Sequence, residues 1–289
     1  MTNCEGVTNQ AATSIRILMP ETTSLTLAHD IAQRYAELPQ VEAVALAGSQ
    51  TTGVADDDSD IDLYVYVNAD LPLAARAAVA RAHAQRAEVD NQFWEPGDEW
   101  IDAATNIHVD VMFRTRAWIA EQLARVLRRH EAAVGYSTCF WYNVVTAQAL
   151  FDREGWFQRL QEDARQPYPE ALRRAIIAKN YPLLRQSLSS YRYQIERAVA
   201  RNDWVSVNHR VAALLASYFD ILFAVNRLLH PGEKRLAAFV ETNCRLVPSG
   251  MRLQVHDLLG AIAFDQSLLQ KLDALLDGLD ELLRTEGLK

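Results

Sequence analysis

The feature that most constrains this chain is the strictly alternating segment DIDLYVYV at residues 60–67. Successive side chains of a β-strand point to opposite faces, so the pattern predicts a strand with one polar and one apolar face. The polar set is Asp60, Asp62, Tyr64 and Tyr66, and the apolar set is Ile61, Leu63, Val65 and Val67. The apolar set requires a core, while the two carboxylates lie roughly 6.5–7 Å apart along the strand.

A second apolar segment, IHVDVMF at residues 107–113, carries a single aspartate, Asp110, with His108 on the same face. A charge in an otherwise apolar strand is costly unless it has a partner. We therefore expect this strand beside strand 60–67, with Asp110 joining Asp60 and Asp62. Such carboxylates suit one or two Mg²⁺ ions, which prefer hard oxygens and sites completed by substrate phosphates. Alternatively, Asp110 takes the proton of an attacking hydroxyl.

A Gly-Ser pair, Gly48 and Ser49, follows the apolar run at residues 41–47. Glycine allows the backbone to approach a phosphate closely. The hydroxyls of Ser49 and Ser59 and the nearby amides can donate hydrogen bonds to phosphate oxygens. The segment therefore predicts a triphosphate site next to the two aspartates.

Periodicity divides the chain into a mixed half and a helical half. In the mixed half we expect helices at 24–38, 71–88 and 116–131, and strands at 41–47, 60–67, 100–102, 107–113 and 147–151. In the helical half we expect helical segments at 170–201, 204–229, 234–243 and 251–283. The pattern predicts an α+β chain: a mixed sheet with flanking helices over residues 1–165, then an α-helical bundle over residues 166–289.

Charge is distributed unevenly between these halves. The net charge of the 289 residues is −8. Residues 1–160 contain 12 Lys and Arg against 22 Asp and Glu, a net charge of −10, whereas residues 161–289 contain 17 against 15, a net charge of +2. The acidic balance makes nucleic acid an unlikely general partner, because phosphate neutralisation needs a basic face. The asymmetry favours a site at the junction, although two solvated surfaces of different composition would explain it equally well.

Localisation is predicted from what the sequence lacks. It has no uninterrupted run of 18 apolar residues and no basic start followed by an apolar run, so we expect neither a membrane span nor a secretory leader. The three cysteines, Cys4, Cys139 and Cys244, are far apart and odd in number, which is typical of reduced thiols. We therefore expect a cytoplasmic protein.

Taken together, Gly48, Ser49, Asp60, Asp62 and Asp110 resemble the pattern of the nucleotidyltransferase superfamily of DNA polymerase β type. Within it, the chain resembles the small-molecule nucleotidyltransferases that include aminoglycoside and lincosamide resistance enzymes. The resemblance implies that the first two aspartates bind metal, that Gly48 and Ser49 bind the triphosphate, and that Asp110 is a metal ligand or a base. It implies a nucleotidyltransferase-type sheet and transfer of a nucleoside monophosphate, most simply AMP from ATP, to a hydroxyl of a small acceptor.

Members of this family often carry a helical domain that supplies a lysine to the phosphates. The segment YFDILFAVNRLLHPGEKR at residues 218–235 resembles it, which makes Lys234 the candidate and Lys179 the second choice. By the same resemblance, Tyr218 and Asn226 are candidates for the nucleotide pocket. An acidic and aromatic stretch at residues 93–100 suits a cationic, sugar-like acceptor.

Two other functions remain open at this point. The same chemistry can adenylylate a protein or an RNA, for which arginines of the helical half offer a basic patch. Alternatively, the chain is a non-catalytic nucleotide-binding module. Retention of all three acids argues against the module, since an inactive chain has no electrostatic reason to hold like charges together. The sequence gives no oligomeric state.

Overall fold

The fold is seen in a computed structural model, which describes residues 23–48, 60–93, 95–262 and 267–289, with Gln85 described by its backbone alone. Among these residues, six strands form one sheet: β1 Val41–Ala47, β2 Ile61–Val67, β3 Ala84–Asn91, β4 Gly97–Asp102, β5 His108–Thr115 and β6 Gln148–Asp152. The helices of the mixed half are α1 Thr23–Ala36, α2 Leu73–His83, α3 Arg116–Leu127, α4 Cys139–Thr146 and α5 Trp156–Ala164. Those that follow are α6 Glu170–Arg185, α7 Tyr191–Ala200, α8 Trp204–Asn226, α9 Leu236–Asn243, α10 Met251–Gly260 and α11 Leu268–Thr285.

The sheet has the strand order β3-β4-β5-β2-β1-β6. Strands β2 and β5 run parallel, and the other neighbouring pairs are antiparallel. The parallel pair needs a crossover connection, which α2, β3 and β4 supply. The α+β class and the mixed sheet predicted from the sequence are confirmed.

Both faces of the sheet are covered. Ile61, Leu63 and Val65 pack with α1 and α2 in one buried cluster. On the other face Tyr64 and Tyr66 are also buried, in a cluster that extends from the sheet into the helical half. The ring of Tyr66 stacks on Phe157 of α5 with a centroid distance of 5.1 Å. The alternation in β2 therefore separates two cores, and Asp62 is the one residue of the strand that is only half-buried.

Several predicted boundaries are wrong. The helix expected at 71–88 ends at His83, and residues 84–91 form the edge strand β3. The segment 170–201 is two helices, because Ser190 starts α7 as an N-cap whose hydroxyl accepts from the Tyr193 amide. Helices α4 and α5 were not predicted, since at eight and nine residues each spans little more than two turns, too few for a clear helical period. The division at residue 165 stays a prediction: the described core continues across it.

No helix in the described ranges is long and apolar enough to cross a bilayer.

An ion pair with a buried arginine joins β5 to the segment before β4. The Arg114 guanidinium of β5 donates twice to the Glu95 carboxylate, each at 2.9 Å, and lies 4.0 Å from the centroid of the Tyr64 ring. The Arg114 side chain is 4% exposed. Its partners raise its pKa above the ordinary value, led by the Glu95 hydrogen bonds, although burial opposes them. This pair fixes the segment before β4 against β5.

We predict that Arg114→Ala lowers the free energy of unfolding by about 3–5 kcal/mol, because it leaves a carboxylate without its partner in a mostly buried place. The control is Arg252→Ala, which removes a pair with Glu241 that is solvent-exposed on both sides and costs about 0–1 kcal/mol. Urea denaturation of both variants measures the difference. Equal losses would contradict a structural role specific to Arg114.

Candidate active site

The register of three strands places three carboxylates in one row across the sheet. Asp62 of β2 is the register partner of Asp110 of parallel β5, and Asp110 is the register partner of Glu99 of β4. Register partners on neighbouring strands have side chains on the same face. All three side chains are half-buried. In the described sheet Asp110 therefore lies beside Asp62, as we expected from the sequence.

The row sits where β2 begins. Asp60 lies immediately before the strand, with its carboxylate 4.0 Å from His108 Nδ1. Both side chains are partly exposed, at 48% for Asp60 and 42% for His108. This end of the sheet is therefore open to a ligand, whereas Tyr64 further along β2 is buried under helices.

Gly48 brings its backbone against the Asp62 carboxylate. Its φ of +68° lies in the left-handed region, where glycine is favoured. A Cβ added at this position would lie 2.0 Å from Asp62 Oδ2. The backbone angle therefore favours glycine, and any side chain at this position would displace the Asp62 carboxylate. The turn after β1 thus packs closely against the aspartate.

The negative charges act on one another. Burial, followed by the charges of Asp62 and Glu99, raises the pKa of Asp110 to about 6. Burial also raises the pKa of Asp62, and the Asp60 charge adds to the effect. Carboxyls with raised pKa values inside a cleft are typical of functional sites. A nearby positive charge would relieve the repulsion.

Lys234 supplies positive charge to this row from the helical half. After burial, its ammonium has the largest effect on the Asp62 pKa, which it lowers. Lys234 is exposed and lies in the turn before α9, two residues ahead of the helix that we expected it to open. The second choice, Lys179, is exposed on α6 and is not among the charges that act on Asp62.

Two other candidates from the helical half lie elsewhere. Tyr218 is fully buried in α8, with its ring edge-on to Phe219, so the structure does not bring it to the carboxylates. Asn226 uses its side-chain amide on backbone groups, donating to Leu222 and Leu246 and accepting from Arg245 and Leu246. The Asn226 side chain therefore caps the C-terminal end of α8 and connects it to the segment at residues 245–246. Ser49 and Ser59 lie outside the described residues.

The residues present fit a divalent cation in chemistry but do not form a complete cage. Asp62 and Asp110 offer hard oxygens whose mutual repulsion a cation would relieve. Within the described ranges, no three His, Cys, Asp or Glu side chains are grouped closely enough to hold a metal ion. A cation here would therefore draw its remaining ligands from water or from substrate phosphates, as Mg²⁺ commonly does.

Glu99 is the site residue that the sequence reasoning missed. Its carboxylate accepts from Asn91 Nδ2 at 2.9 Å, which fixes its direction. A signal was available: in the segment GDEWID, Asp98 and Glu99 point to opposite faces. Asp98 is fully buried and held by Arg76, which leaves Glu99 for the row.

A groove continues from the row toward the sheet edge. It has a volume of about 220 Å³ and is lined by Arg86, Glu88, Glu99, Trp100, Ile101 and His108. A larger cavity of about 520 Å³ lies between α8, α9 and α10 and is mainly apolar. Its lining includes Glu233 and Arg235, on either side of Lys234, but none of the three acids in the row. The groove, and not the larger cavity, therefore adjoins the charged groups.

Comparison with known proteins agrees with this geometry. Residues 29–131 match the model of the nucleotidyltransferase domain, and residues 141–236 match a domain of unknown function, DUF4037. The first match spans α1 to α3 and contains Gly48, Asp60, Asp62 and Asp110, and the second ends just after Lys234. No curated protein matches the chain in sequence.

Solved structures that are similar to the chain at low sequence identity include these three. A nucleotidyltransferase-like protein from Exiguobacterium sibiricum is 13% identical with a TM-score of 0.43, over 90% of this chain and 74% of that one. The CCA-adding enzyme of Thermotoga maritima, solved with tRNA, is 12% identical with a TM-score of 0.33, over 90% and 65%. A c-di-GMP synthase from Capnocytophaga granulosa is 11% identical with a TM-score of 0.29, over 91% and 80%.

The family match confirms the resemblance to nucleotidyltransferases for residues 29–131, and this nucleotidyltransferase domain supports an enzyme of that class. The match supports transfer of a nucleoside monophosphate as the general reaction, but it does not identify the acceptor.

We predict that Asp110→Asn stabilises the folded protein at neutral pH. The pKa of Asp110 is about 6 when folded, against 3.8 ordinarily, so the ionised carboxyl destabilises the fold above pH 6. The variant should gain about 1 kcal/mol at pH 7.5, a value reduced for solvent screening of this partly exposed group. The gain should disappear as the pH falls from 6 to about 4, where both folded and unfolded wild-type protein are protonated at this position.

Urea unfolding of wild-type and variant protein across this pH range measures the effect. Asp70→Asn, at an exposed loop position, is the control and should leave the pH dependence unchanged. Equal stability of wild type and Asp110→Asn at every pH would contradict the repulsion inferred for the row.

Proposed function

We propose that this protein transfers a nucleoside monophosphate, most simply AMP from ATP, to a hydroxyl of a small acceptor with release of pyrophosphate. The observation that supports it best is the registered pair Asp62 and Asp110 with the Gly48 backbone against Asp62. Two half-buried carboxylates next to a tight glycine turn suit a cation and the triphosphate that the cation bridges. The match of residues 29–131 to the nucleotidyltransferase domain supports the same reaction class.

The proposed site residues have separate tasks. The backbone at Gly48 and the Lys234 ammonium hold triphosphate oxygens, together with Ser49 and Ser59. Asp60 and Asp62, with Asp110 as a third candidate ligand, would hold Mg²⁺. When bound, the cation would stabilise negative charge on the phosphate oxygens as the transfer proceeds. The positive charges of Lys234 and the cation would thereby offset the repulsion among the carboxylates of the row.

In the reaction, the acceptor oxygen forms a bond to the α-phosphorus while the bond from that phosphorus to the pyrophosphate oxygen breaks. The acceptor hydroxyl proton must leave as the new bond forms. We assign this proton to Asp110, because its pKa, raised to about 6, makes it a stronger base than an ordinary aspartate and leaves it ionised at pH 7. Asp110 acts either as this base or as a metal ligand, and the Asp110→Asn variant described below separates the two roles.

The groove beside Glu99 is the proposed acceptor position. Its walls carry the carboxylates of Glu88 and Glu99, which suit a hydroxylated acceptor with positive charge. Arg86 also lines the groove and pairs with Glu88. An aminoglycoside- or lincosamide-like antibiotic is one such class of compound. An RNA or protein acceptor is the second candidate for the same chemistry. The arginines expected to bind it are engaged within the protein: Arg173 is buried, and Arg185 and Arg192 form ion pairs with aspartates of α11.

A pyrophosphate-release assay tests the proposal. Protein and Mg²⁺ are incubated with each nucleoside triphosphate and a panel of aminoglycosides, lincosamides and simple sugars. We expect release with one acceptor, a loss of about 10²-fold or more in Asp62→Asn, and unchanged activity in the control Asp70→Asn. If Asp110 is the base, Asp110→Asn should lower kcat without changing nucleotide affinity.

Other outcomes point elsewhere. Nucleotide binding that needs Asp62 and Mg²⁺, without release on any small acceptor, would move the acceptor to an RNA or a protein. Absence of metal-dependent nucleotide binding would contradict the proposed function.

A further inference from the structure

The turn that carries Lys234 is built around a buried histidine that the reaction itself does not use. His230 is fully buried, four residues before Lys234 and four residues after the end of α8. Its ring lies between the rings of Tyr136 and Phe223, each with a centroid distance of 4.8 Å. Burial lowers the pKa of His230 to about 4, so the ring is neutral at pH 7.

The polar groups of His230 hold the chain on both sides of it. Its backbone amide donates to the Thr138 hydroxyl at 2.8 Å. Its ring atom Nδ1 accepts from the Gly232 amide at 3.2 Å and lies 3.5 Å from the Cys139 sulfur. Since Nδ1 accepts from an N–H group, its own proton sits on Nε2. The backbone amide and the ring of His230 together tie the start of the Lys234 turn to the beginning of α4, and the ring also holds the Gly232 amide within the turn.

The segment before α4, which His230 contacts, is itself held in place by hydrogen bonds to the core helices. The Ser137 amide and hydroxyl donate to the Asp220 carboxylate at 3.0 and 2.6 Å, and the Gly135 amide donates to Asn180 Oδ1 at 3.0 Å. Asp220 lies in α8 and Asn180 in α6, and both are buried. The segment that receives His230 is therefore anchored to two helices of the core.

The chain between His230 and Lys234 is short and is held at its middle. Pro231 fixes its own φ, and Gly232 has a φ of +112° in the left-handed region. The Gly232 amide, two residues before Lys234, donates to His230 Nδ1. Loss of this hydrogen bond would therefore release the turn that carries the lysine, because glycine is conformationally the freest residue.

We propose that His230 is a positioning residue that holds the Lys234 turn so that the lysine faces the Asp62 carboxylate and the triphosphate. The inference rests on the proposed function, because it assigns a part of the same nucleotide site. His230 touches neither substrate nor carboxylate in this arrangement and acts through Lys234.

A thermodynamic cycle between His230 and Lys234 tests the proposal. The four proteins are wild type, His230→Phe, Lys234→Ala and the double variant. Phenylalanine keeps the ring between Tyr136 and Phe223 and removes the acceptor for the Gly232 amide. Affinity for Mg²⁺ with a non-hydrolysable ATP analogue is measured by calorimetry.

We expect His230→Phe to weaken binding by about tenfold in the wild-type background, the effect of losing one charged contact, and by less than about twofold when Lys234 is already alanine. His230→Asn should recover most of the affinity, because its side-chain oxygen can accept from the Gly232 amide. Leu272→Ala, a buried truncation in α11, is the control for loss of stability and should leave nucleotide affinity unchanged. Equal weakening by His230→Phe in both backgrounds, or no recovery with asparagine, would overturn the proposal.

Hydrogen exchange of the Gly232 amide gives a readout that needs no nucleotide. Protection of this amide in wild type and His230→Asn, and its loss in His230→Phe, would support the anchor. Equal protection in all three would overturn it. Absence of analogue binding to wild-type protein would instead overturn the proposed function, so the two failures are distinguishable.

Discussion

The site depends on one constraint, the parallel pairing of β2 with β5. That pairing sets Asp62 against Asp110 on a shared face, and the antiparallel neighbour β4 adds Glu99 to the same row. A shift of one residue in either strand would turn a carboxylate into the opposite core, where Ile61 and Val109 now pack. The hydrophobic alternation that fixes the register for folding thus also fixes the spacing of the charges. Stability and site geometry follow from the same pattern.

The row of like charges makes the helical half necessary to the site. Three half-buried carboxylates repel one another, and among the charges that act on Asp62 the largest effect is that of Lys234, from outside the sheet. Lys234 is carried on a turn that His230 ties to α4 and to the buried groups beneath it. The two family matches meet in this arrangement, since the aspartates belong to the first and the lysine to the second.

The parts of the site predictable from sequence are those set by local pattern. Alternation gave the faces of β2 and β5, and the cost of a lone charge placed Asp110 beside Asp62. Glu99 was not predicted as a site residue because its strand is short and its neighbour Asp98 is also acidic. The sequence pattern alone does not tell which of the two acids forms a buried ion pair and which lies in the site. Tyr218 and Asn226 were assigned by resemblance to a segment, but helix packing decides which face of α8 is buried. His230 could not be predicted, because its partners Thr138 and Cys139 are about 90 residues away in sequence.

The most direct test of the account is a crystal structure of the protein with Mg²⁺ and a non-hydrolysable ATP analogue. The account predicts metal density on Asp60 or Asp62, the triphosphate against the Gly48 backbone with Lys234 in contact, and Asp110 facing the α-phosphate. Nucleotide bound elsewhere, for example in the apolar cavity between α8 and α10 with the carboxylate row empty, would contradict it.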